Sequence, residues 1–283
     1  MLELGSFEIR ALPLSKPVCR LVGTTAIACL ALMASSQANA SPWARADDEL
    51  FVITRAEYFK ADLGPVNTID GIVDSRFERL ETNTYVEFGL TEKITIGGKA
   101  LYGTSWLTRG ATVETASGFS EGEVFGQYQA FRSHAHAGAV KLAVARPAKF
   151  LSGSRPELQS DGVDVTISTL YGRNLLIKPV KIFTSTEIGY RKRFSDSADQ
   201  IRIDATIGME PSDKLLFLID FFSTISLQNE TDGGADFDIV KAQPSLLWRA
   251  TDRWAFQLGL TEEITGRNIS RGRTFFVGLW SRF

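Results

Sequence analysis

The residues able to do chemistry are few and widely spread. His134 and His136 are the two histidines of the chain. Two positions apart, they could share a strand face and hold a metal with a nearby carboxylate. They fall, however, in Ser133-His134-Ala135-His136-Ala137-Gly138, a run of small residues that reads as a short turn. The sequence places no further ligand beside them, so no metal is expected. Glu57, Glu121 and Asp204 are carboxylates of the kind a paired-acid hydrolase needs, but no motif joins them. Asp232-Gly233-Gly234-Ala235-Asp236-Phe237-Asp238 spaces its carboxylates loosely like a calcium loop and lacks that loop's distal Glu. It reads as a solvated connection. No P-loop or G-x-G-x-x-G occurs. Neither a cofactor nor an enzymatic step is expected.

Charge narrows the classes further. With 31 Lys+Arg against 33 Asp+Glu, the formal charge is -2, and the longest basic run is Arg191-Lys192-Arg193. That gives no field to gather nucleic acid. Hydrophobic content of 44% excludes a disordered chain. No apolar stretch reaches the roughly 18 residues a spanning helix requires, which excludes a bundle of membrane helices.

The elements that position these residues begin after an address. Arg10, Lys16 and Arg20 precede an apolar stretch from Leu21 to Met33, and a small-residue segment ends in Ala38-Asn39-Ala40. A positive region, a short apolar core and an A-x-A site make a secretory signal peptide spanning 1–40, cut after Ala40. Cys19 and Cys29, the two cysteines, leave with it. Residues 41–283 then form a single domain without thiol or disulfide.

That domain alternates with period two. In Gln200–Glu210 one parity is Ile201, Ile203, Ala205, Ile207, Met209, and the other is Gln200, Arg202, Asp204, Thr206, Gly208, Glu210. Val163–Gly172 and Val180–Arg191 repeat the pattern. Alternate side chains of a strand point to opposite faces, so each segment has one apolar and one polar face. The segments run longer than the usual 5–6 or so residues of a sandwich strand. They match the roughly 9–11 residues of a tilted strand crossing a bilayer. Short connections (Thr91–Lys93, Ser133–Ala137, Asn174–Pro179, Pro211–Asp213, Ala250–Asp252) alternate with longer ones (Lys60–Ser75, Ser105–Phe119, Phe150–Gly162, Ser195–Ala198, Leu227–Asp236, Thr265–Ser270). This asymmetry is that of transmembrane barrels and predicts an all-β antiparallel barrel of about twelve strands, with both ends on the short-turn side.

The terminus carries a resemblance. Phe275, Val277, Leu279 and the final Phe283 alternate with Ser281 as the one small residue, and Trp248 and Trp254 flank a short turn on the apolar parity. This resembles the closing strand of Gram-negative outer-membrane β-barrels. The stretch Glu78–Gly98 is similar to strand–turn–strand units of small transporter-type barrels, including those encoded with aromatic-degradation pathways. The resemblance implies residence in the outer membrane, contact with its lipids and lipopolysaccharide, assembly by the barrel-assembly machinery, and passage of small solutes.

With the apolar parity outward, the other parity lines a lumen. Arg55, Glu57, Arg79, Glu81, Glu187, Arg191, Arg202 and Asp204 are the residues expected there, within a set of nearly balanced charge. Balance argues against selection of one ion sign. The charges either line a narrow wet channel or pair across the lumen and close it. Phe125, Phe183, Phe222, Phe276 and Trp280, also inward, take up volume that a wide pore needs. Passive diffusion of small solutes through a narrow, charge-lined lumen is the expected role. A closed structural barrel and a hydrolase with its site at the outer rim are the alternatives. Barrel lipases place a Ser–His pair at that rim, whereas both histidines here fall on the short-turn side.

Overall fold

The computed structural model describes residues 41–68, 71–147, 162–232 and 234–283. The segment read as a signal peptide and most of the Phe150–Gly162 connection lie outside the described residues. Twelve strands follow one another: β1 (Leu50–Thr68), β2 (Gly71–Thr91), β3 (Ile94–Arg109), β4 (Thr112–Arg132), β5 (His136–Pro147), β6 (Val163–Leu176), β7 (Lys181–Phe194), β8 (Gln200–Ser212), β9 (Leu215–Ser226), β10 (Asp238–Arg249), β11 (Trp254–Arg267) and β12 (Arg273–Arg282). Each runs antiparallel to the one before, and β12 pairs with β1 from Phe51↔Arg282 to Lys60↔Arg273. Leu50 and Phe283 exchange backbone hydrogen bonds of 3.1 and 2.9 Å, so both chain ends of the barrel meet at the short-turn rim. Closure leaves no edge strand with unpaired backbone groups.

The alternation decides which side chains face where. On β6, Asp164, Thr166 and Ser168 are buried inside while Val163, Ile167 and Tyr171 stand exposed outside. The same inversion runs around the barrel. Val124 and Leu258 are 65% and 63% exposed on the outer wall, whereas Glu81 and Asp220 are 2% and 3% exposed within. Water-soluble proteins keep ionised groups out and large apolar groups in. Phe275, Val277 and Phe283 belong to this outer apolar surface, and Leu279 is half-buried in the same row. Trp254 meets Phe283 edge-on at 5.7 Å, and Trp248 stacks on Phe256 at 5.9 Å.

Three expectations need correction. Lys60–Ser75 and Ser105–Phe119, read as loops from their Gly, Ser and Thr content, continue as paired strands. The β1–β2 ladder extends to Thr68↔Gly71 and the β3–β4 ladder to Arg109↔Thr112. Threonine and valine fit a pleated surface well, so composition misled where alternation did not. His136 is the first residue of β5 rather than part of the turn, with Nδ1 2.6 Å from the Tyr171 hydroxyl. Finally, the apolar parity is not outward everywhere. Leu216 and Leu218 of β9 and Leu247 of β10 point inward and pack with Phe51, Ile53, Phe183, Ala255 and Trp280 into a buried cluster. At about 1.5–3 kcal/mol per large side chain, that cluster is a dry core on one wall of the short-turn end.

Candidate functional site

The lumen is built in tiers. At the short-turn end, opposite the apolar cluster, the segment preceding β1 enters the barrel. Ser41, Pro42, Trp43, Ala44 and Arg45 are all buried. Gln127 and Gln129 of β4 donate their Nε2 groups to the carbonyls of Ser41 (3.0 Å) and Pro42 (2.9 Å). The Arg45 amide donates to Thr95 Oγ1 at 3.0 Å, and the Arg45 guanidinium pairs with Glu87 and lies 3.9 Å from the Phe51 ring centroid. Trp43 occupies a notch at Gly172, where any β-carbon would collide with the indole. The chain then reverses at Asp48, whose φ of 60° is a conformation Asp tolerates better than most residues, and joins β1. This plug was not legible as such in the sequence, because Ser41–Arg45 has no periodicity to read.

Above it lies a cavity of about 170 Å³, lined by Arg55, Asn83, Tyr85, Lys99, Glu123, Lys141, Glu187, Arg202, Asp204 and Phe222, with Ile53, Ala143 and Thr166. Tyr85 connects the two tiers. Its ring stacks on Phe125 at 5.6 Å, and its hydroxyl donates to Glu87 at 2.6 Å, the carboxylate that holds Arg45.

Of the eight residues expected in the lumen, Arg55, Glu187, Arg202 and Asp204 line this cavity. Glu187 receives Lys141 at 2.6 Å, and Arg202 lies 3.6 Å from Asp204. Glu57 accepts from Asn83 at 3.2 Å. Arg79 lies 3.4 Å from Glu81, which also accepts from the Ser120 hydroxyl. Arg191 is 3.9 Å from Asp164. Lys99–Glu121 (2.8 Å) and Lys241–Glu263 (2.8 Å) are further interior pairs. Glu57, Glu121 and Asp204 thus each face a cation or an amide. Asn83 and Tyr85 were omitted from the expected lining, although their parity, shared with Glu81 and Glu87, marks them as inward.

The long-loop rim is tied by its own contacts. Asp199, between β7 and β8, accepts from Lys192 and Tyr190 at 2.9 Å each and from Asn229 of the β9–β10 connection at 2.9 Å. In that connection Asp236 takes two hydrogen bonds from Arg267, at 2.6 and 2.7 Å, which hold its carboxyl down to about 2.

No protein-family model matches the sequence, and no curated protein matches it. Solved structures do match in three dimensions. An outer membrane channel from Pseudomonas putida F1 superposes with a TM-score of 0.63 at 11% identity, over 88% of this chain and all of that one (100%). The fold is that of an outer-membrane β-barrel. The NanC porin is similar as well, with a TM-score of 0.53 at 9% identity, covering 81% of this chain and 98% of the porin. At such identities the likeness is one of architecture: a closed barrel whose wall is apolar outside and polar inside.

Proposed function

We propose that this protein is a narrow outer-membrane channel for small solutes, closed in the described state by its own N-terminal segment. The observation that carries the reading is the inverted barrel with a charge-lined cavity above an inserted plug. The outer belt of apolar residues suits a bilayer, and the Trp248 and Trp254 pair suits its interface. In this reading the short-turn rim faces the periplasm and the long loops face outward. Cleavage after Ala40 leaves Ser41 as the first residue, already within the lumen. Lipids and lipopolysaccharide surround the wall, and the barrel-assembly machinery handles the terminal Phe283.

Passage requires no chemical step. Solutes diffuse past charges that are for the most part paired along the wall. The members of the apolar cluster belong to the strands, whereas the plug rests on them only through Arg45 over Phe51, so the plug is the part free to move. Held by side-chain contacts rather than by a strand ladder, it can leave without breaking the barrel.

Single-channel recording of refolded residues 41–283 in planar bilayers tests this. Small discrete conductance steps, larger and longer-lived for a chain starting at Asp47, are expected. Silence from both chains, with the barrel folded by heat-modifiable migration, would instead favour a closed structural barrel.

A further inference from the structure

We infer that the mid-lumen cavity is a binding site for a small organic monoanion, a carboxylate on a compact apolar body, with Arg55 as its receptor. The inference rests on the channel reading and adds a solute class to it.

The argument begins with charge. Four cations line the cavity, Arg55, Lys99, Lys141 and Arg202, against three carboxylates, Glu123, Glu187 and Asp204. Lys141 and Arg202 each have one of these carboxylates within ion-pair distance, and Lys99 has Glu121, which lies outside the lining. Glu123 lies in the field of Lys99 and Arg202. Arg55 is different. It is 5% exposed, and its Nε and Nη2 have no hydrogen-bond partner among the described residues.

The register explains why. The residues beside Arg55 on the neighbouring strands are Gly278 and Asn83, neither of them acidic. The carboxylates that share its field, Glu57 and Asp220, are engaged elsewhere. Glu57 accepts from Asn83 at 3.2 Å, and Asp220 accepts from Thr206 at 2.7 Å and Gln243 at 3.1 Å. A guanidinium does not shed its proton, so a buried one with free donors calls for an acceptor. Its planar fork matches a carboxylate with two parallel hydrogen bonds. The Phe276 ring, 4.9 Å from its Cζ, covers one face and leaves the donor edge available.

Size and lining set the rest of the ligand. A cavity of about 150 Å³ holds one benzene, so about 170 Å³ suits a single ring-sized body. Ile53, Tyr85, Ala143 and Phe222 supply apolar surface beside the guanidinium. Asn83 Oδ1 and Asp204 Oδ1, also without a hydrogen-bond partner among the described residues, are acceptors that a water or a ligand hydroxyl would serve.

Equilibrium binding of benzoate to the folded, detergent-solubilised barrel, followed calorimetrically, tests the assignment without requiring conduction. Benzylamine, toluene and sodium chloride are the comparison titrants. Saturable binding of benzoate alone is expected, weakened at least tenfold by Arg55→Met and less by Arg55→Lys. Arg273→Met, exposed at the long-loop rim, leaves it unchanged. Ala143→Leu, which fills the cavity and spares the guanidinium, abolishes binding as well and serves should Arg55→Met fail to fold. Equal responses to benzoate, benzylamine and chloride overturn the inference, as does unchanged benzoate binding in folded Arg55→Met or Ala143→Leu. Conductance without benzoate binding refutes this site and leaves the channel standing. Binding without conductance does the reverse.

Discussion

One buried ion pair ties the plug to the wall alongside its hydrogen bonds, and breaking that pair from the barrel side is the sharpest test of gating. Glu87→Gln keeps the size and removes the charge facing Arg45, and its single amide oxygen still accepts from one of the two donors, Arg45 or the Tyr85 hydroxyl. Arg45 and Glu87 are 5% and 6% exposed, so the pair is dry. Removing one partner of a buried pair costs about 3–5 kcal/mol, because the remaining charge is left uncompensated. Glu49, 3.8 Å from Arg45, keeps part of the compensation, which places the effect at the low end, about 3 kcal/mol. The strain falls on the inserted state alone, since a withdrawn Arg45 is solvated. At 1.4 kcal/mol per factor of ten, the inserted-to-withdrawn ratio drops by roughly a hundredfold. In single-channel records the closed fraction of Glu87→Gln falls accordingly, and the open level matches that of the chain starting at Asp47. Closed dwell times equal to the parent's, in a barrel verified as folded, would refute the claim that this pair holds the plug. An open level different from that of the truncated chain would show that the plug is not what closes the lumen.

Further outcomes follow from the same geometry. Gly172→Leu drives a side chain into the Trp43 ring without touching the ion pair, and should raise the open fraction in the same recordings. In single-tryptophan variants reconstituted with brominated lipids, Trp248 and Trp254, 49% and 39% exposed on the outer wall, should be strongly quenched. Trp280, 3% exposed and donating Nε1 to Gln257 at 2.9 Å, should be spared, and equal quenching of all three would contradict the outward belt. At the long-loop rim the Arg267 hydrogen bonds depress the Asp236 carboxyl, so the clasp is complete above the ordinary value of 3.8. It is lost as pH falls toward about 2. The carboxyl carbon shift of Asp236 should titrate near that value and return to the ordinary range in Arg267→Ala.

The strands and their faces were legible because side-chain direction along an extended chain is a local property. Gln200–Glu210 shows its two faces without knowledge of any neighbour, and Asp204 and Arg202 fall on the inward side whatever strand lies beside them. Local rules failed where two faces were both apolar, as at Leu216 and Leu218, and where the outer parts of the β1–β2 and β3–β4 ribbons looked like loops. They also gave no sign of the plug, since Ser41–Arg45 is a short aperiodic run whose partners lie in β2, β3, β4 and β6.

The sequence by itself therefore determined an antiparallel barrel of twelve strands, its inside and its outside. Period-two alternation and connection length are carried by neighbouring residues. Only the tertiary structure decided which charges meet and which do not. Lys141 reaches Glu187 and Arg45 reaches Glu87 across separations set by register and closure, and Arg55 has no ion-pair partner among the described residues because that register places Gly278 and Asn83 beside it. Pairing depends on distances between strands, and those exist only once the barrel has closed.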